Sequence, residues 1–270
     1  MERPIIESKY SAAPWLAGLG QPAAARLLAW EQQQADALLA DVFGYHAVQL
    51  GWPALQALRG NRMPHRWTAQ PEFEPGWPDV QSDVCLDSRA WPWGPDSLDL
   101  VVLPHALERS ADPHACLREV ERVLIPEGQV LITGLNPLSS WGWRQSRQAR
   151  NAVGPDNTAM SLIGYRRLRD WLRLLGFEVQ VSRFGGWVPA LGSERWMQHL
   201  GWMDRVGERW CPILGGVYLI MATKRVPGGR LLTGRRWRTV RSPAAAAAPV
   251  ARADTSPGRQ TAAKDIVESR

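Results

Sequence analysis

The chain has 270 residues, 45% of them hydrophobic, enough for one α/β domain with additions and a sizeable core. No apolar run approaches the roughly 20 residues that cross a bilayer, and the opening MERPIIESKYSAAPW has no apolar segment behind a basic start, so neither a membrane span nor a secretory signal is expected. The formal charge of +6 is concentrated: residues 226–270 hold nine Lys or Arg against three Asp or Glu and carry the whole excess.

In chain order, a helix is expected over residues 21–41, with Leu27, Leu28, Leu38 and Leu39 on its apolar face. Residues 44–51 (GYHAVQLG) and 65–69 (HRWTA) are the first two strands, and a third precedes Asp87. Residues 98–103 (LDLVVL) suit a strand buried on both faces. Asp112-Pro113 opens a helix, with Asp as N-cap and Pro at the first helical position. Cys116, Leu117, Val120, Val123 and Leu124 form its apolar stripe, Pro126-Glu127-Gly128 is expected to stop it, and residues 129–135 form the next buried strand. Strand, helix and strand make a right-handed βαβ unit in a parallel sheet.

A loop, NPLSSWGWR, follows at residues 136–144. A helix over residues 161–175 ends at Gly176, and residues 177–181 and 217–223 supply the last strands. Between those strands, residues 183–215 are long for a connection and rich in Trp and Gly, with Trp196, Leu200 and Met203 on one helical face. They read as a lid or as a capping helix. Residues 226–270 carry Pro, Gly, Ser and an alanine run and read as a disordered basic tail. Its Arg235-Arg236-Trp237-Arg238 can touch nucleic acid or an acidic surface, but a solvated extension is the preferred reading. Cys85 and Cys116 fall in expected core elements. With Cys211 far away, the three are read as buried reduced thiols of a cytoplasmic protein rather than a disulfide or metal site. No P-loop, nucleophile elbow, metal-ligand cluster or internal repeat is present in the sequence.

The residue types are more specific than this order. Asp87 lies five residues before Pro92 in DSRAWPW, and Ser97-Leu98-Asp99-Leu100-Val101 follows. Then come a His-bearing loop, PHALER, the run LREVERVL over residues 117–124, and Pro126-Glu127-Gly128. These motifs resemble class I S-adenosylmethionine (SAM) dependent methyltransferases, in the bacterial group related to ubiquinone and menaquinone methyltransferases (methyltransferase type 11-like). The resemblance implies a Rossmann-like, seven-stranded, mostly parallel sheet with helices on both faces, within residues 1–225. Residues 217–223 would be its antiparallel edge strand.

The resemblance also implies S-adenosyl-L-methionine as cofactor and an unidentified methyl acceptor, taken to be a small molecule. In this family the first strand ends in an acidic residue and a glycine-rich turn, with a helix N-terminus beyond. Here Gln49 stands at the acidic position, Gly51 matches the first glycine, and Trp52 and Pro53 replace the roomy residues that follow. The cofactor-binding candidates are therefore Gln49, Gly51, Trp52, Asp87 and His105. By resemblance Asp87 meets the adenine amino group, and its other reading is a turn cap. His105, beside Glu108, is the catalytic candidate as a general base. It reads equally as an acceptor-orienting group, a helix cap or a contact to the methionine end. Glu72 and Glu74 lie near the ribose-binding position without matching it. Trp141, Trp143 and Arg144 border the acceptor pocket or simply pack their loop.

The function these readings imply is SAM-dependent methyl transfer, with weaker cofactor binding than a full glycine-rich turn would give. The alternative is a methyltransferase-like protein without catalysis, serving as a binding or regulatory module. A dinucleotide dehydrogenase is disfavoured, because the residues after the first strand lack its glycine pattern.

Overall fold

The structure, a computed structural model, describes residues 19–71, 82–151, 161–190 and 199–226. Glu72, Glu74, Trp196 and nearly all of the tail, with Arg235 to Arg238, lie outside the described residues. The chain divides into two units, Met1–Pro227 and Gly228–Arg270, and the elements below belong to the first.

Helix α1 (Gln21–Leu39) precedes β1 (His46–Leu50), β2 (His65–Pro71), β3 (Val84–Leu86) and β4 (Leu98–Pro104). A single turn, α2 (Ala106–Arg109), leads to α3 (Pro113–Val123), β5 (Leu124–Leu135) and α4 (Ser140–Asn151). Helix α5 (Tyr165–Leu174), β6 (Phe177–Gly185), α6 (Trp202–Trp210), a short 3-10 turn (Pro212–Leu214) and β7 (Val217–Lys224) complete the fold. The seven strands form one sheet in the order 3-2-1-4-5-7-6. Strands β1 to β5 pair in parallel, whereas β7 runs antiparallel to both of its neighbours, β5 and β6.

Strand side chains alternate between two apolar layers, as a sheet buried on both faces requires. Leu100 and Val102 of β4 and Leu131 of β5 join α1 and Trp141 in one layer. Val101, Leu103, Val130 and Ile132 meet α3 and α5 in the other. The expected cap of α3 is present: the Asp112 carboxylate accepts from the His114 and Ala115 amides.

Several expectations need correction. Helix α3 ends at Val123, before Pro126-Glu127-Gly128, and Leu124 is already in β5. Ile125 precedes a proline and is pushed towards extended backbone, so the chain leaves the helix early. The three residues expected to stop the helix lie instead within β5, at the register shift between Leu98 and Leu100 of β4. Strand β7 is not the edge strand. All of its residues are buried, and the edge is β6, whose side chains are alternately exposed. Helix α5 starts at Tyr165 rather than at residue 161. Cys85 is exposed, because the short edge strand β3 buries only Leu86; Cys211 is exposed too, and only Cys116 is buried.

The largest departure lies between β1 and β2. The helix that the resemblance places there is missing, and residues 51–64 form turns and irregular chain. Trp52, Leu55, Ala57, Leu58 and Met63 of this segment pack with Leu27, Ala35 and Leu39 of α1, so the layer is closed by side chains on a loop.

Candidate functional site

The carboxyl ends of β1 and β4 lie side by side in the sheet, where open α/β folds bind ligands. Gln49 is the second-last residue of β1 and is buried. Its amide nitrogen donates to the carbonyls of Trp52 (3.2 Å) and Leu55, and its oxygen accepts from the Ala57 amide at 3.1 Å. Gln49 thus pins the following loop from inside. Gly51 has φ +117°, and a Cβ there would stand 2.6 Å from the Pro104 carbonyl oxygen, so only glycine lets the turn lie this close to β4. The Trp52 amide donates to that same carbonyl, and its side chain is fully buried.

His105 follows β4 in left-handed backbone (φ 52°) and is fully buried. Its Nδ1 lies 2.9 Å from Glu108 Oε2, and its Nε2 lies 2.8 Å from Glu31 Oε1 on α1. The remaining oxygen of Glu108 accepts from the Leu135 amide at 2.6 Å. The Trp52 ring stands edge-on to the imidazole, centroids 5.8 Å apart. Burial by itself would lower the His105 pKa, but the Glu31 charge and the hydrogen bonds to both carboxylates outweigh it and raise the value to about 10. Burial raises the Glu108 pKa, with His105 pulling the other way. We place the proton on the imidazole, which then donates from both nitrogens and has no lone pair to offer as a base.

Sequence reasoning paired His105 with Glu108 but missed Glu31. A signal was present: Glu31 sits four residues after Leu27 and four before Ala35, a carboxylate on the apolar stripe of α1.

Asp87 lies just beyond β3, away from this cluster in the fold. It accepts from the Arg89 amide at 2.8 Å and pairs with the Arg89 guanidinium at 2.9 Å. Those hydrogen bonds hold its carboxyl below the usual carboxylate range. In this geometry it caps a turn.

One helix position from Glu31, Trp30 faces a cleft of about 360 Å³. Trp141, Phe184 and Trp187 give it aromatic walls, and Arg26 and Asp204 line it as an ion pair at 2.8 Å that ties α1 to α6. Trp141 is buried and donates from its indole to the Val188 carbonyl at 2.7 Å. Trp143 lies on the exposed side of α4 under the Arg147 guanidinium, and Arg144 donates to the Ala190 carbonyl. Of the three acceptor-loop candidates, Trp141 lines this cleft. Leu200 and Met203 of the expected lid pack against the α1 layer.

Residues 68–132, from β2 into β5, match the methyltransferase domain family. The chain is 38% identical over 143 residues to the uncharacterized protein YafS of Escherichia coli K12, covering 53% of this chain and 55% of that one. It is 36% identical over 92 residues to the malonyl-[acyl-carrier protein] O-methyltransferase of Halorhodospira halophila, covering 34% and 27%. The match thus spans about half the length of the first relative and about a quarter of the second. Among solved structures, a SAM-dependent methyltransferase from Thermotoga maritima superposes with a TM-score of 0.55 at 15% identity, over 78% of this chain and 93% of that one. Sheet order and family match together place the domain in the class I SAM-dependent methyltransferase fold. The cofactor of that class is S-adenosyl-L-methionine.

As packed, the residues at the strand end do not fit the amino-acid end of such a cofactor: a Cβ at Gly51 would meet the Pro104 carbonyl oxygen at 2.6 Å, and Trp52, His105 and Glu31 are fully buried, although Glu31 Oε2 has no hydrogen-bond partner. Gln49 does not fit it either, because its polar atoms are already used within the loop. Among the described residues no group of His, Cys, Asp or Glu is arranged to hold a metal, and no helix is long and apolar enough to cross a membrane.

Proposed function

We propose that this chain transfers a methyl group from SAM to a small acceptor. The observation that carries the reading is the meeting of Gly51, Trp52, His105 and Glu31 at the carboxyl ends of β1 and β4, within a domain that matches the methyltransferase family. SAM supplies an electrophilic methyl on a sulfonium, and transfer then needs an acceptor held in line more than it needs a base. The chain's own residues divide that work. Gly51 brings the turn after β1 against β4, Trp52 packs edge-on to His105, and the imidazolium of His105 fixes the β4 loop as a positioning residue.

The aromatic cleft beside Trp30 and Trp141 is our acceptor site, and its walls suit a molecule with an apolar or planar body. Three free thiols accord with a reducing compartment, and we place the protein in the cytoplasm. Titration calorimetry on the full chain tests the central claim: SAM and S-adenosylhomocysteine should both release or absorb heat, with dissociation constants in the micromolar to millimolar range. No heat from either at millimolar concentration would overturn it. The buried Trp52 and the internally bonded Gln49 would then favour the second reading, a methyltransferase-like binding module.

A further inference from the structure

Eleven large apolar side chains are left exposed among the described residues, and five of them fall between positions 202 and 214. They are Trp202, Val206 and Trp210 on α6, and Ile213 and Leu214 in the 3-10 turn after it. A spacing of four puts the three helical ones in a single stripe, about 12 Å long from Trp202 to Trp210.

The stripe cannot turn inward, because the other side of α6 is fastened. Asp204 accepts from the Trp187 and Val188 amides at 3.0 and 3.3 Å and pairs with Arg26. Gly207 lies against the Trp187 ring, and Met203 packs on the α1 layer. Beyond the helix, Trp187 Nε1 donates to the Cys211 carbonyl at 2.9 Å and Asn136 Nδ2 to the Ile213 carbonyl at 2.6 Å.

Charge selects what covers the stripe. Both acids of α6, Asp204 and Glu208, line the cleft on its inner side. Arg205, at the rim of that cleft, and Arg209 are exposed, flank the stripe, and have no ion-pair partner among the described residues. A second copy docked isologously would set these arginines against the same arginines. An acidic lipid surface meets them with phosphates, and its headgroup layer is where Trp side chains are preferred. A helix with Trp on one face and Arg beside it lies in that layer rather than across it.

We propose that α6 and the 3-10 turn after it dock on an acidic lipid bilayer, with Trp202, Val206 and Trp210 towards the acyl chains. The opposite face of α6 lines the aromatic cleft, so docking sets that cleft beside the lipid. Docking is independent of methyl transfer, and its test fails or succeeds apart from that of the SAM reading.

The test is flotation of the full chain with vesicles. Wild type should float with an equimolar mixture of phosphatidylcholine and phosphatidylglycerol and stay behind with phosphatidylcholine alone. Trp202→Asp with Trp210→Asp should lower the partition coefficient at least tenfold at an unchanged melting temperature, since both side chains are exposed. Should the pair not fold, Trp210→Asp alone, at the more exposed position, should still lower it severalfold. Arg209→Gln should weaken binding about fivefold, the worth of one surface cation. Replacing Arg235, Arg236 and Arg238 of the basic tail with Gln reports the tail's own share. Mixed vesicles that still bind the folded α6 variant as wild type overturn the proposal, whatever the tail variant does. So does a wild type that ignores both kinds of vesicle, or one that elutes as a dimer which the α6 variant splits while neither binds lipid.

Discussion

The proton on His105 is held by its neighbours, and that has a measurable consequence. Its folded pKa of about 10 lies above the ordinary 6.5. A group raised on folding stabilises fully below its unfolded pKa, and the contribution is lost as pH rises through the folded value. The groups facing it are Glu31 from α1 and Glu108 from α2. Melting temperature should therefore decline between about pH 6.5 and pH 10 in wild type, and the decline should be shallower in His105→Gln. The same substitution strips two buried carboxylates of their cation and should cost about 3–5 kcal/mol near neutral pH, read by denaturant unfolding. Little loss would mean that the cluster is not ionised. Of this cluster, His105 and Glu108 were legible as neighbours in the loop after β4. Glu31 was legible only as a misfit on an apolar stripe, because its partner lies 74 positions away in sequence. The use of Gln49 was not legible, since it depends on how the carbonyls of Trp52 and Leu55 turn inward.

Elements with strong local signals formed where expected. Asp112 and Pro113 start α3, and Gly176, at φ +81°, follows the end of α5. Elements that depend on partners did not follow their local signals. The helix missing after β1 is one case: Trp52, Leu55 and Met63 find enough burial against α1 to hold an irregular path. The early end of α3 is another, where Leu124 gains a strand partner in Leu98. Helix α5 offers a clean test of packing on the opposite layer, since its buried residues are Leu168 and Leu172. Leu168→Ala should cost about 2–5 kcal/mol in chemical unfolding, the usual range for a fully buried leucine. A loss under about 1 kcal/mol would show that α5 is not seated on the sheet as described.

At the scale of the whole molecule, a parallel α/β sheet could be read from the βαβ run and the strand count from the family resemblance, but the order of the last two strands could not. Residues 177–185 and 217–224 are both apolar enough for strands, and only pairing shows that the later one goes inside. This insertion bears on synthesis. Strand β5 is complete at Leu135, yet its outer neighbour, β7, begins at Val217. Until then a nascent chain carries an unpaired row of N–H and C=O groups along residues 129–135, the kind of edge that recruits other chains. Strand β6 emerges earlier but pairs only with β7 among the described residues, so it gives no cover. Lys224 then fastens the arriving strand, donating to the Leu124 carbonyl at 2.7 Å and to Asp96 at 2.9 Å. A chain ending at residue 216 should aggregate on expression, while one ending at residue 227 should elute as a single species and melt cooperatively; a soluble, cooperatively folded shorter chain would refute this. The protein thus stays exposed to misassembly until nearly the last residue of its first unit has been made.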